Sequence, residues 1–255
     1  MGTQTALRGS VLTVTRRFAA GIDINEEAVR LAVVSKRLQA NRPVCVERLE
    51  EVRLEPGAVI GGDFIDRVNI SAALREAFSR LPARGALRSL RCAMALPASA
   101  TLTTRVPLAR LSQTSQVSLS AAGGRDPRGL LEPAVLAKAE RVAGLKRGAL
   151  AVDWSIEACE NGCAEVSIAA TGRQYVESRV ETAAAATIVL SAIDGEPGAA
   201  LRALRYSAGM EIDPLERFIA CWVERAGCTG GLSAKTTWKT RCVIRRRSIR
   251  APLKR

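Results

Sequence analysis

Two apolar runs flank a short polar segment in "FAAGIDINEEAVRLAVVSKR" (residues 18–37). Asp23 stands between two isoleucines, and Asn25 with two glutamates interrupts the apolar pattern before it resumes. Apolar runs joined by a few polar residues are typical of paired β-strands. The stretch therefore predicts a β-hairpin with a carboxylate near its turn. A weaker alternation over residues 43–55 predicts a third strand.

Helical spacing of apolar residues follows in "NISAALREAFSRLPARG" (69–85). This pattern predicts an amphipathic helix, with Asn69 or Ser71 as its N-cap. A second helical face ends at Gly144, a natural C-terminal stop. The apolar residues of that second face are Leu131, Val135, Ala139 and Val142.

The rest of the pattern alternates between strands and helices. Residues 112–129 are small, polar and glycine-bearing, which predicts a loop. We expect further strands at 89–97, 101–111, 149–156, 164–171 and 187–194. We expect further helices from near Arg173, at 196–209 and at 209–227. Such an order is typical of a layered α/β protein.

Composition and charge indicate a globular protein whose positive charge is concentrated at its C-terminal end. The chain has 255 residues, of which 47% are hydrophobic, so it can bury a core. Of its net charge of +13, nine positive charges lie between Lys235 and Arg255, which leaves +4 on the preceding 234 residues. A terminal basic run is typically solvated and poorly ordered. Since Trp238 is the only aromatic residue within that run, we do not expect nucleic acid as a partner.

Residue types exclude several kinds of chemistry. The chain has no histidine, which removes His-based catalytic triads. Its seven cysteines are scattered and form no Cys-x-x-Cys motif, so we expect no zinc site and a reduced cytosolic chain. The longest apolar run, residues 183–193, is too short to span a bilayer. Any link to a membrane is therefore expected through a partner.

Six segments occur in an order and at a spacing shared with a known family. They are "AGIDINEEAVRLAVVSK", "ALREAFSRL", "LRCAMALPASATLTTRVPLARL", "AVLAKAERVAGLKRGALAVDWSI", "EVSIAATGRQYVESRV" and "IVLSAID". With these segments, which cover roughly residues 17–208, the sequence resembles the PilM family of type IV pilus-assembly proteins. Members of that family are actin-like and akin to the cell-division protein FtsA.

The resemblance implies an α/β fold with an actin-like (ribonuclease H-like) first lobe and a small inserted α+β subdomain. It places the lobe at residues 17–104 and 188–226 and the subdomain at 105–187. Residues 229–255 form a basic tail that we expect to be disordered. Because no second lobe follows, the chain resembles a C-terminally truncated member. The face that such a lobe would cover favours self-association.

The resemblance also implies a cofactor. In such proteins the first hairpin faces the phosphates and magnesium of ATP, which assigns cofactor binding here to Gly21, Asp23 and Asn25. The family has Gly and then Ser or Thr after this aspartate, whereas this chain has Asn25, Glu26 and Glu27. Two carboxylates beside a triphosphate repel it. The sequence also has no second Asp-x-Gly hairpin and no adenosine loop, so we expect weak or lost ATP binding.

By the same resemblance, the chain is a non-catalytic scaffold of type IV pilus or related secretion assembly. Its partner would be a PilN-like inner-membrane protein whose cytoplasmic N-terminal peptide docks on the fold, which would hold the chain at the inner face of the inner membrane. Two alternatives stay open. One is an ATPase or kinase of the wider actin group, with Asp153 or Asp194 as its base. The other is a protein that binds polyanions through residues 235–255.

Overall fold

The computed structural model describes residues 16–37, 43–82, 90–114, 127–158, 163–211, 218–224, 227–234 and 237–244. The strands within these ranges are β1 (Arg16–Ile24), β2 (Ala28–Arg37), β3 (Cys45–Arg53), β4 (Val59–Ile60), β5 (Asp63–Phe64), β6 (Arg91–Leu96), β7 (Leu102–Pro107), β8 (Leu150–Ala158), β9 (Ala164–Gly172), β10 (Leu190–Gly195), β11 (Phe218–Glu224), β12 (Gly227–Ala234) and β13 (Thr237–Ile244). The helices are α1 (Arg67–Ser79), α2 (Leu108–Thr114), α3 (Pro127–Ala143), α4 (Arg173–Ala185) and α5 (Glu196–Glu211).

The predicted hairpin is confirmed and belongs to a five-stranded sheet. Strands β1 and β2 pair antiparallel from Arg16 opposite Arg37 to Ile24 opposite Val29. Strand β3 adds antiparallel to β2, whereas β6 runs parallel to β1. The strand order is β10-β6-β1-β2-β3, which makes β1 the central strand of a mixed sheet. A mixed sheet combined with helices agrees with the predicted α/β class.

One face of this sheet forms an apolar core with α1. Alternate residues of the hairpin are buried there, namely Ala20, Ile22, Ile24, Val29, Leu31 and Val33. They share a cluster with Ile70, Ala73, Leu74 and Ala77 of α1, the helix that the spacing of apolar residues predicted. The predicted N-cap was wrong, since Asp66 caps α1 by accepting a hydrogen bond from the Asn69 amide at 3.0 Å. Aspartate is a strong cap, and here it starts the helix at Arg67, two residues before Asn69.

A buried arginine connects α4 to the β4–β5 hairpin. Arg179 is 0% exposed, and its Nη2 donates a hydrogen bond to the carbonyl oxygen of Gly62 at 3.3 Å. Its guanidinium also lies over the Phe64 ring, 4.5 Å from the ring centroid. A buried charge must find hydrogen bonds or an aromatic face to offset its lost hydration. Arg179 therefore fixes the segment between β4 and β5 against α4.

The second sheet has the strand order β7-β9-β8 and is packed by α3. Three residues of the predicted helical face, Leu131, Val135 and Ala139, are buried with Val166 and Ile168 of β9. Val142, which we expected on the same face, is exposed. Gly144 ends the helix as predicted, because it adopts φ +67° and its amide donates to the Glu140 carbonyl at 2.8 Å.

Two predicted elements between residues 101 and 129 have different bounds in the structure. The strand expected over 101–111 ends at Pro107, and α2 begins directly at Leu108. Both ends of the loop expected over 112–129 are helical, since α2 continues to Thr114 and α3 begins at Pro127. Proline lacks the amide that the next ladder bond would need, and its fixed φ suits a helix start. Residues 115–126 lie outside the described ranges.

The helix predicted for residues 209–227 is wrong over residues 218–224, and its residues 212–217 lie outside the described ranges. Phe218–Glu224 forms β11, which pairs antiparallel with β12. A short apolar run fits a buried helix or a strand equally well, and here strand pairing decides. Strands β12 and β13 also occupy part of the range that we predicted to be a disordered tail. Residues 245–255 lie outside the described ranges.

The chain divides into two compact units. The first comprises Met1–Met94 with Glu177–Ile193, and the second comprises Ala95–Val176 with Asp194–Arg255. The subdomain boundaries that we expected from the resemblance stay a prediction. No helix in the described part of the chain has both the length and the apolar character needed to cross a membrane.

Candidate functional site at the first hairpin

Gly21 and Asp23 lie on the face of β1 that points away from the apolar core. Their neighbours Ala20, Ile22 and Ile24 are buried, so the alternation of the strand places the two predicted site residues on the open face. A Cβ atom added at Gly21 would meet no atom within 4 Å. Gly21 is nevertheless a sheet residue, paired with Ala32 of β2 and with Ala93 of β6. It lies within the ladder and not in the turn.

Asp23 lies directly opposite Arg30 of β2, and the two side chains form an ion pair. Oδ2 of Asp23 is 3.5 Å from Nη1 of Arg30. Arg30 in turn lies opposite Glu51 of β3, and its Nε donates to Oε2 of Glu51 at 2.8 Å. The hydrogen bond to Glu51 is the main cause that raises the pKa of Arg30, with a smaller contribution from Asp23 and against the opposing effect of burial. Three charged side chains thus form a row across β1, β2 and β3.

Asn25 uses its side chain to build the turn. Its Oδ1 accepts hydrogen bonds from the amides of Glu27 and Ala28, both at 3.0 Å. Its own amide donates to the carbonyl oxygen of Ala28 at 3.1 Å. This is the side-chain mimic of a backbone turn that asparagine commonly makes. The third predicted site residue therefore has a structural role in this hairpin.

The tip of the hairpin is fastened to the segment that follows β3. The amide of Gly61 donates to Oε1 of Glu26 at 3.1 Å, and the amide of Leu54 donates to the carbonyl oxygen of Glu27 at 2.9 Å. A depression of about 520 Å³ lies beside these contacts. It is lined by Glu26, Glu27, Leu54, Pro56, Gly57, Val59 and Ile60. The two glutamates that depart from the family pattern therefore shape the tip of the hairpin.

These residues do not fit a magnesium nucleotide. The amides of Glu27 and Ala28 already donate to Asn25, so they do not form an open phosphate cradle. Asp23 faces a guanidinium that would repel a divalent cation. Among the described residues, no group of three or more carboxylate or thiol side chains could hold a metal ion. Three carboxylates within residues 23–27 also disfavour an incoming phosphate.

Arg30 is the residue of this site that we did not predict. The signal was in the sequence, because a tight turn at residues 25–27 places residue 30 across the ladder from residue 23. Its pairing with Glu51 depends on the register between β2 and β3, which includes an irregularity at Val33 and Val34. The pattern of apolar residues does not predict that irregularity, so it does not predict that Glu51 lies opposite Arg30.

The two carboxylates proposed for an enzymatic alternative are engaged within the second unit. Asp153 is exposed on β8, and its Oδ1 accepts a hydrogen bond from the Trp154 amide at 2.8 Å. Asp194 on β10 forms an ion pair with Arg202 of α5. Each therefore has a local structural partner.

Comparisons with known proteins identify the family and the fold of this chain. The family described as type IV pilus assembly protein PilM matches residues 21–209, which is more than half of the chain. No curated protein sequence matches. A solved chain of a PilM–PilN type IV pilus biogenesis complex superposes with a TM-score of 0.66 at 18% identity, covering 89% of this chain and 61% of that one. This chain thus spans about three fifths of the length of that relative.

Two further solved structures are similar at a lower level. The cytoplasmic domain of EpsL, an inner-membrane component of the type II secretion system of Vibrio cholerae, has a TM-score of 0.47 at 11% identity, covering 91% of this chain and 71% of that one. A Bacteroides thetaiotaomicron protein with an actin-like ATPase fold has a TM-score of 0.43 at 11% identity, with coverages of 90% and 70%.

The fold and the family predicted from the sequence are confirmed together. The superposition at a TM-score of 0.66 shows the fold, and the match over residues 21–209 shows the family. The chain belongs to the PilM family of type IV pilus assembly proteins, with their actin-like α/β fold.

Proposed function

We propose that this chain is a non-catalytic scaffold of type IV pilus or related secretion assembly. It docks the cytoplasmic N-terminal peptide of a PilN-type inner-membrane protein. The observation that carries this proposal is the family match over residues 21–209, joined to the similarity to a chain that is itself part of a PilM–PilN complex. This chain spans only three fifths of the length of that relative. We therefore propose the docking function for the region that the two chains have in common.

A peptide partner suits the chemistry of this fold. An extended peptide is held by main-chain hydrogen bonds and by a few side-chain pockets, so capture requires a formed α/β scaffold and no reactive group. The partner would then supply the link to the membrane and hold the chain at the cytoplasmic side of the inner membrane. The described helices contain no span of their own.

The proposal includes weak or lost ATP binding. Support comes from the first hairpin, where Asp23 is paired with Arg30 and Asn25 is used in the turn. A scaffold that is not gated by nucleotide would bind its peptide equally well with and without ATP. That independence separates the proposal from the alternative of an actin-like ATPase or kinase.

The experiment is a peptide titration with the full chain. A fluorescent peptide with the N-terminal cytoplasmic sequence of the PilN-type protein from the same genome is followed by anisotropy, beside a scrambled peptide of equal composition. We expect saturable binding of the native peptide with a Kd in about the micromolar range. The Kd should change less than about twofold on adding ATP with magnesium, because no contact with nucleotide is proposed.

Two variants separate docking from catalysis. Asp23→Ala removes the candidate cofactor residue, and Glu157→Ala is the matched control, a carboxylate on another strand that is also paired with an arginine, Arg105. Both should bind the peptide like the wild type. Equal binding of native and scrambled peptides would contradict the docking function. ATP hydrolysis that is lost in Asp23→Ala and kept in Glu157→Ala would establish the enzymatic alternative instead.

A further inference from the structure

Arg30 is the centre of a row of charges on the open face of the sheet. It lies between two carboxylates on neighbouring strands, opposite Asp23 of β1 and opposite Glu51 of β3. Its guanidinium reaches both, with Nη1 at 3.5 Å from Asp23 and Nε at 2.8 Å from Glu51. The three side chains are 40–53% exposed, so an ion in solution can approach them.

Arg30 places one positive charge between two carboxylates, as a bound cation would. Two carboxylates that flank one position repel each other unless a positive charge lies between them. A divalent metal ion could supply that charge, and so could a planar guanidinium, which can hydrogen bond to a separate carboxylate on each side. In this chain the guanidinium is part of the sequence, at the strand position opposite Asp23.

We propose that Arg30 takes the place of a divalent cation beside Asp23 and thereby excludes metal ions from the first hairpin. This inference deepens the part of the proposed function that concerns lost ATP binding. The bound guanidinium satisfies Asp23 and cannot dissociate as a metal ion does. Because the guanidinium is covalently part of β2, a positive charge stays beside Asp23 at any concentration of magnesium or nucleotide.

The proposal has a consequence that a merely structural ion pair lacks. Removing the charge of Arg30 takes away the guanidinium that lies between Asp23 and Glu51, and leaves these two carboxylates on the same face. Such a pair attracts a divalent cation. The variant Arg30→Met keeps a long unbranched side chain in the strand and removes only the charge and the hydrogen bonds.

The experiment is a titration with Mn²⁺ alone, followed by the loss of the free-ion signal in electron paramagnetic resonance. The full-length wild type is compared with Arg30→Met and with the matched control Arg48→Met. Arg48 lies on the neighbouring strand β3 and pairs with a carboxylate, Glu50, at 3.1 Å. We expect Arg30→Met to bind Mn²⁺ at least about tenfold more tightly than the wild type, since a like charge beside the site is removed. Arg48→Met should match the wild type.

A second variant assigns the gain to the proposed position. In Arg30→Met/Asp23→Asn, the gained Mn²⁺ affinity should disappear. A folded Arg30→Met, judged by circular dichroism, that binds Mn²⁺ no better than the wild type would overturn the proposal. So would a wild type that already binds Mn²⁺ at Asp23, with loss of binding in Asp23→Asn, and this measurement needs no Arg30 variant to fold. None of these outcomes involves the PilN-type peptide, so failure here leaves the docking function to its own test.

Discussion

The two faces of the first hairpin are built from the same two strands, yet different rules specify them. On the core face, Ile22 and Leu31 are nearly fully buried with α1. On the open face, Gly21, Asp23 and Arg30 remain accessible and interact across the strands. The core face depends on apolar character in each strand, whereas the open face depends on which residues lie opposite each other. The core face can therefore keep the fold of the family while the residues of the open face vary independently.

The largest expected effect comes from the core face. Leu31→Ala removes a side chain that is 1% exposed and should lower the free energy of unfolding by about 3 kcal/mol, because a cavity remains in a packed cluster. The matched control is Leu49→Ala on β3, whose side chain is 71% exposed. It should change stability by no more than about 0.5 kcal/mol. Urea unfolding followed by circular dichroism measures both.

Equal costs for the two leucine substitutions would contradict the difference in packing between the two faces. A large cost for Leu49→Ala would mean that something packs on the open face in solution, such as a second copy of the chain. Repeating the unfolding at several protein concentrations would then detect association, because the stability of an oligomer depends on concentration.

A smaller effect is expected at the turn that joins the two faces. Asn25→Ala removes the acceptor for the amides of Glu27 and Ala28 and should destabilise the chain by about 1 kcal/mol. Asn25→Asp keeps an acceptor at the same place and should recover most of that loss in about 1 M salt, where repulsion from nearby glutamates is screened. Both values come from urea unfolding midpoints at an unchanged m-value. If Asn25→Ala were neutral, Asn25 would be available for a role other than the turn.

The difference between the core face and the open face also explains how much of the structure could be predicted from the sequence. The hairpin, α1, and the buried face of α3 were predictable because each rests on a local period of apolar residues. The strand β11 was not, because residues 218–224 fit a helix or a strand until β12 pairs with them. The candidate residues Gly21, Asp23 and Asn25 came from the resemblance to the family. The partner of Asp23, Arg30, follows from the length of the turn between β1 and β2. The partner of Arg30, Glu51, depends on the register between β2 and β3, which no local pattern contains.

The smallest expected effect is the coupling between Asp23 and Arg30 itself. A double-mutant cycle with Asp23→Asn, Arg30→Met and the double variant should give a coupling energy below about 1 kcal/mol, since both side chains are about 40% exposed and screened by water. The loss of the Glu51 hydrogen bond occurs in both Arg30 variants and therefore cancels. In about 1 M salt the coupling should fall towards zero.

A coupling above about 2 kcal/mol that salt does not reduce would mean that the pair is desolvated, and that the open face is covered in solution. A weak pair is sufficient for the role that we propose for Arg30, because excluding a metal ion requires only that the positive charge stay beside Asp23, and the hydrogen bond to Glu51 holds it there.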